Sequence, residues 1–127
     1  YNEMNVLSMH ALIGAYQPQG YEWVDELNQV LADNIEYFCT YAEKHWKSIA
    51  FSRPQGTYMV FLDCTEWCRE HGRDIQWLLD EGARVGVGYQ DGRPFHGPCH
   101  IRVNLALPLS RVKEACDRLD RYVFNAR

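Results

Sequence analysis

Apolar and polar residues alternate along the segment from Cys99 to Ser110, which reads CHIRVNLALPLS. The apolar positions are Ile101, Val103, Leu105 and Leu107, and the positions between them include His100, Arg102 and Asn104. A period of two is typical of a strand with one buried face. The pattern predicts a strand that buries its aliphatic side chains and carries Arg102 and Asn104 on the other face.

Two further regions have the composition of strands. SIAFS (48–52) and TYMVFLDC (57–64) are separated by the turn sequence RPQG, which predicts two strands joined tightly. Residues 58–62 are apolar at every position, so the second strand is expected to be central and covered on both faces. ARVGVGY (83–89) predicts another strand. One face of this strand would carry only Gly86 and Gly88, so it would have no side chains and would allow close approach of a ligand or another backbone.

Apolar residues recur at helical spacing in four segments. NVLSMHALIGAY (5–16) ends at a Pro/Gly break, and residues 21–46 form one helix of about 39 Å, longer than a domain of this size requires. DIQWLLDEG predicts a short helix with Asp74 as N-cap and Gly82 as the stop. An amphipathic helix over 109–124 closes the chain. The order α-α-β-β-α-β-β-α predicts an α+β fold, a small, mostly antiparallel sheet packed with helices, including one long N-terminal linking helix.

Composition and charge exclude several classes of function. The chain has 127 residues, 46% hydrophobic and 24% charged, which fits a single globular domain. The net charge of -4 and the lack of a basic run argue against nucleic acid, and no apolar run approaches the roughly 20 residues of a membrane helix. The first residues lack the pattern of a signal peptide, and a start at Tyr1 rather than Met indicates that Tyr1 is not the native start. Five cysteines at irregular spacing favour a reducing compartment, so we expect the cytoplasm.

Arg102 is the strongest candidate for chemistry in the residues themselves. Its guanidinium is planar and permanently charged, and its fork matches a carboxylate with two parallel hydrogen bonds. Asn104 lies two residues further on the same face and offers a second donor. The alternative is an arginine on an edge strand that pairs with a surface acid, and the residues alone leave both interpretations open.

Other candidate groups are weaker. Five residues could be read as a zinc site: Cys64, Cys68, His96, Cys99 and His100. This site is not favoured, because C-x3-C is not the common ligand spacing and Cys64 ends an apolar strand, where a buried thiol is ordinary. The three lysines Lys44, Lys47 and Lys113 lie in no predicted pocket that would make one a Schiff-base nucleophile. We therefore predict no catalytic, cofactor-binding or metal-binding residue in the chain.

Several stretches together resemble the C-terminal end of class I/II aminotransferases, the fold-type I enzymes that use pyridoxal phosphate (PLP). These are RPQGTYMVFLDC, GARVGVGYQDGRPFHGPCHIRVNLALP and the last amphipathic helix, in this order. AYQPQGYEWVDELNQVLADNIEYF narrows the resemblance to the branch of cystathionine β-lyase and related C–S lyases (the MalY/PatB type). The resemblance covers essentially the whole chain.

The resemblance assigns Arg102 to the arginine that holds the α-carboxylate of an amino-acid substrate. It implies a PLP-dependent β-elimination that yields pyruvate, ammonia and a thiol. An aminotransferase of the same family is the first alternative, since both reactions use this arginine. A free-standing carboxylate-binding or interaction module without catalysis is the second.

In this family, the lysine that binds the cofactor and the groups that hold its phosphate belong to a large domain upstream. None of those motifs is present, so we expect a small C-terminal domain of a longer enzyme, over 47–127, and a helical segment, over 1–46, that connects to the missing large domain. Alone, such a chain should bind no cofactor tightly and turn nothing over. Its uncovered apolar face should favour a homodimer or a higher assembly.

Overall fold

Two helices occupy the first third of the computed structural model, which describes residues 4–125. Helix α1 covers Val6–Ala15, and the side chain of Asn5 caps it by accepting from the Ser8 N–H at 2.8 Å. Helix α2 covers Pro18–His45, about 42 Å at 1.5 Å per residue. The long helix is confirmed, but it begins before the predicted Tyr21, because a proline suits the first turn of a helix, where its missing N–H has no partner to lose.

The sheet has three antiparallel strands in the order β1-β3-β2, with β1 at Met59–Asp63, β2 at Gln90–Asp91 and β3 at His100–Asn104. The predicted alternation of β3 is confirmed: Ile101 and Val103 are buried, whereas Arg102 is half-buried. β1 is an edge strand, not the central strand that its composition predicted. Val60 and Leu62 are buried, whereas Met59 and Phe61 on the other face are half-buried, and the Phe61 ring lies 4.6 Å from the His100 ring.

Other predicted boundaries are wrong for local reasons. SIAFS forms no strand and contributes only a bridge between Ala50 and Asp63. The segment 83–89 is not a strand, because α4 (Ile75–Arg84) extends into it and the left-handed Gly86 (φ 76°) turns the chain away. Asp74 caps α4 as predicted, but the helix runs through Gly82, where a Cβ would lie 2.4 Å from the Tyr89 ring.

The remaining helices complete the α+β fold. α3 (Thr65–His71) was not predicted, and α5 (Leu109–Leu119) continues into a π-helical turn at Asp120–Phe124. The core lies between one face of the sheet, α5 and the second half of α2, which contributes Phe38, Cys39 and Ala42. The predicted division of the chain at residue 46 stays a prediction.

Large apolar side chains lie exposed on α1 and on the first half of α2. α1 has no buried residue, and Leu7 of α1 is 83% exposed and Trp23 of α2 is 62% exposed. Among residues 4–125, the buried side chains are hydrophobic except for that of Asn34, which lies where α2 enters the core. Across residues 4–125, no helix combines the length and the hydropathy needed to cross a bilayer.

Candidate functional site

Arg102 lies on the central strand, between Phe61 of β1 and Gln90 of β2. Its Nε donates to the Oε1 atom of Gln90 at 2.8 Å. Its guanidinium carbon lies 4.0 Å from the centre of the Phe95 ring, with the group over the ring face. One edge and one face of the guanidinium are therefore held by uncharged groups.

The two terminal nitrogens of Arg102 meet no carboxylate within residues 4–125. Six other arginines of this part of the chain form ion pairs with Asp or Glu: Arg53, Arg69, Arg84, Arg93, Arg111 and Arg118. The alternative of an edge-strand arginine paired with a surface acid therefore finds no support in the described residues. A fixed, unneutralised guanidinium is suited to an incoming carboxylate.

Asn104 lies on the same face as Arg102, two residues along β3, and its side chain is exposed. Its Oδ1 atom accepts from the Ala106 N–H at 2.8 Å and closes a turn at the end of the strand. That bond orients the amide, and within the described chain no acceptor occupies Nδ2. Asn104 therefore lies on the same strand face as Arg102, and its role as a second donor stays a prediction.

Arg102 and Asn104 line an open groove of about 440 Å³. This volume lies in the range of small-molecule sites. The other lining residues come from β1, from the segment before β2, and from β2 itself: Tyr58, Met59, Gly88, Tyr89 and Gln90. Gly88 has nothing within 4 Å of the position where a Cβ would stand, so the groove is open at this glycine. The sequence predicted close approach at this glycine, although the strand assigned to it does not form.

Two tyrosines, Tyr58 and Tyr89, line the groove. The Tyr89 hydroxyl donates inward to the Leu78 carbonyl, and burial raises the pKa of Tyr89. Arg102 gives the groove one permanent positive charge, which suits the binding of an anion.

Of the residues weighed as a zinc site, Cys64, Cys68 and Cys99 lie near one another. Among residues 4–125, no three His, Cys, Asp or Glu side chains are placed to hold a metal ion. Burial raises the pKa of Cys68 to about 12 and raises that of Cys64 further, so both are protonated thiols. His100 stacks on Phe61, and its Nε2 lies 3.8 Å from Asp63.

The residues of the groove do not fit PLP by themselves. A PLP site requires a lysine amine for the Schiff base and a group for the pyridine nitrogen. Lys44, Lys47 and Lys113 are all exposed, and none lines the groove. The groove therefore suits an anion, and the absence of cofactor-binding residues from the chain stays a prediction.

Two residues of the site were missed by sequence reasoning. Gln90 reaches Arg102 through strand pairing, and Phe95 reaches it through the short 3₁₀ turn Arg93–Phe95. Neither residue belongs to a periodic pattern. The sequence feature that could have indicated Gln90 is the short loop between β2 and β3, because a short loop favours antiparallel pairing and places residues of the two strands opposite each other.

Relatives of known description cover most of the chain. A Mycobacterium leprae protein provisionally named a cystathionine beta-lyase is 32% identical over an alignment of 124 positions, which covers 85% of this chain and 30% of that protein. Protein MalY of Escherichia coli is 30% identical over 112 residues, which are 87% of this chain and 28% of MalY. The PLP-bound C–S lyase of Staphylococcus hominis matches with a TM-score of 0.83 and 26% identity, over 94% of this chain and 32% of the lyase. The chain is homologous to part of the cystathionine β-lyases and C–S lyases. No protein-family model matches it.

Homology to the C–S lyases confirms the family resemblance and the α+β fold class. The chain spans about 30% of the length of the curated relatives that it matches. The comparisons leave the roles of Arg102 and Asn104 as predictions.

Proposed function

We propose that the chain is the C-terminal small domain of a longer PLP-dependent C–S lyase and that Arg102 holds the α-carboxylate of its amino-acid substrate. The names and lengths of the relatives support the family and the partial coverage. The observation that carries the assignment is Arg102 itself, a guanidinium held by Gln90 and Phe95 and unpaired with any acid among residues 4–125.

Arg102 would bind the carboxylate with its two terminal nitrogens, which form the outer edge of the fork. Two parallel charge-assisted bonds fix both the position and the rotation of the carboxylate. The Nδ2 group of Asn104 would donate a third bond from the same face. The substrate's α-carbon is thereby held at a fixed orientation, which selects the bond that breaks.

Gly88 and Met59 leave room beside the arginine for the rest of the substrate. Gly88 contributes no side chain, and Met59 presents a flexible apolar side chain on the other side of the groove. This pairing suits an aliphatic or thioether substituent better than a charged one. It agrees with a reaction that releases a thiol from an amino acid and leaves pyruvate and ammonia.

PLP, when bound, supplies the electron sink for this elimination. We propose that its lysine and phosphate groups come from a large domain that is not part of this chain. On this proposal, the chain alone is inactive, and adding PLP gives no borohydride-reducible adduct on Lys44, Lys47 or Lys113. A stoichiometric adduct on one of these lysines, found by peptide mapping, would contradict the division of labour between the two domains.

The carboxylate assignment is tested by titrating the ¹⁵N-labelled chain with L-alanine and with L-alaninamide at constant ionic strength. We expect L-alanine to shift the Arg102 side-chain resonances and L-alaninamide, which lacks the carboxylate, to leave them unchanged. L-Alanine should also shift the backbone amides of Gln90 and Phe95, which contact Arg102, and Arg102→Gln should abolish these shifts. Arg111→Gln is the matched control, because Arg111 is exposed and pairs with Glu114 outside this groove.

The same pair of variants in the longer protein tests the enzymatic role. Loss of two bonds to a charged group should lower kcat/KM for pyruvate formation from L-cystathionine by about 10²- to 10⁴-fold for Arg102→Gln. Arg111→Gln should retain native kinetics. Equal responses of Arg102 to both ligands, or native kinetics for Arg102→Gln, would refute the assignment.

A further inference from the structure

The groups that contact Arg102 are uncharged, whereas six other arginines of the described chain pair with carboxylates. Each of those six arginines contacts at least one carboxylate, which cancels much of its charge. Arg102 is held by an amide and an aromatic ring. We propose that Gln90 and Phe95 are positioning residues that fix the Arg102 fork without neutralising it, an inference that rests on the proposed carboxylate-binding function.

Gln90 fixes the inner edge of the guanidinium. It lies directly opposite Arg102 in the β2–β3 register, and its Oε1 accepts from Nε at 2.8 Å. A glutamate at this position would have the same reach, but its carboxylate would form an ion pair with Arg102 and compete with an incoming one. A neutral acceptor orients the fork and leaves its positive charge for the ligand.

Phe95 fixes one face of the guanidinium, and the loop around it is built to hold it there. The Gly92 N–H donates to the His100 carbonyl at 2.8 Å, and the Gly97 N–H donates to the Gly92 carbonyl at 3.0 Å. A Cβ at Gly92 would lie 2.4 Å from the His100 oxygen, and one at Gly97 would lie 2.5 Å from the Phe61 ring. Glycine at both positions lets the loop lie flat against the sheet, which brings the Phe95 ring onto Arg102.

Together, the two contacts leave the outer edge of the fork, with both terminal nitrogens, as the free side. An arginine side chain otherwise loses rotamer freedom when it binds, and holding it beforehand reduces that cost. The aromatic face adds attraction to the cation without adding a negative charge. The arrangement therefore predicts a preorganised carboxylate receptor.

The experiment compares Gln90→Met, Gln90→Glu and Phe95→Leu with the unsubstituted chain, using the Arg102 Nε–Hε resonance and the L-alanine titration. In the native chain, we expect this proton to exchange slowly and to be shifted upfield by the Phe95 ring. Gln90→Met should restore fast exchange, and Phe95→Leu should remove the upfield shift. Tyr122→Leu is the matched control, because it removes a similar arginine–aromatic contact, Arg121 over Tyr122 at 5.4 Å, away from the groove.

The expected changes in the dissociation constant of L-alanine differ between the variants. Phe95→Leu should raise it about 2- to 5-fold and Gln90→Met roughly 3- to 10-fold. Gln90→Glu should raise it by more than about 10-fold while keeping the Nε proton protected. Tyr122→Leu should leave it unchanged.

The outcomes separate this inference from the function on which it rests. If Arg102→Gln abolishes the response to L-alanine but the variants at Gln90 and Phe95 bind it as the native chain does, the positioning roles are wrong and the carboxylate assignment stands. If Gln90→Glu binds as tightly as the native chain, the argument from charge is wrong. If L-alanine does not move the Arg102 resonance at all, both proposals fail.

Discussion

Substitutions of Asn34 test how the end of strand β3, which carries Arg102, is held in place. Its Nδ2 donates to the Leu105 carbonyl at 2.8 Å and to the Leu107 carbonyl at 2.7 Å, which ties helix α2 to the segment that follows β3. Asn34 is fully buried, and its Oδ1 finds no hydrogen-bond partner in the described structure. The structural contribution of the Asn34 side chain is therefore the two hydrogen bonds that its Nδ2 group donates.

Replacing Asn34 by Leu, which has nearly the same shape, removes both donors. The Leu107 carbonyl is left without a partner, which costs about 1–3 kcal/mol, whereas the Leu105 carbonyl still accepts from the Leu107 N–H and loses only one of two bonds, about 1 kcal/mol. The substitution also removes the unpartnered Oδ1, which returns about 1–3 kcal/mol by the same reasoning, so we expect a net destabilisation of about 1 kcal/mol. Asn34→Asp should cost more, about 3–5 kcal/mol, because it brings a buried carboxylate against two carbonyl oxygens.

Urea unfolding followed by tryptophan fluorescence measures these differences. With a slope of about 2 kcal/mol per M, Asn34→Leu should lower the midpoint by about 0.5 M. Asn28→Leu, an exposed asparagine on the same helix, is the control and should change stability by less than about 0.5 kcal/mol. An Asn34→Leu chain as stable as the Asn28→Leu chain, or an Asn34→Asp chain more stable than Asn34→Leu, would refute the reasoning.

Two further predictions follow from burial. Burial raises the pKa of Cys39 to about 11 and that of Cys116 to about 12. Because the unfolded chain loses these protons at a lower pH than the folded chain, the free energy of unfolding should be highest below about pH 8.5 and should fall from there to about pH 12. Urea midpoints measured across this range should show the fall, and Cys39→Ala should flatten part of it; an unchanged midpoint up to pH 11 would contradict the prediction. The exposed apolar side chains of α1 and of the first half of α2 should drive association to a dimer or larger species. Light scattering should then give a mass that rises with concentration, whereas a constant monomer mass would count against it.

Local patterns predicted those parts of the fold that depend on local physics. The alternation around Arg102 predicted β3, and the apolar spacing from Leu27 to Ala42 predicted the buried half of α2, because burial of one face imposes a period on the sequence. Asp74 predicted a helix start, because its side chain can reach the Trp77 N–H.

The parts that were missed depend on contacts between distant residues. Nothing near Phe61 indicates that its strand lies at an edge, because His100 and the Gly97 loop cover it from elsewhere in the chain. α3 is seven residues long and has no side-chain N-cap, so it gives little signal. Gln90 and Phe95 become part of the site only when β2 pairs with β3 and the loop between them closes.

Because the amide of Asn34 bonds α2 to the segment that follows β3, a tilt of the helix about this point would be transmitted to the strand that carries Arg102. The first residue of the helix, Pro18, lies about 24 Å from Asn34 along the helix axis, so a tilt of about 5° about Asn34 would move that end by about 2 Å. A contact made with the first half of α2 would therefore act at a distance on the segment after β3, to which Asn34 is hydrogen-bonded.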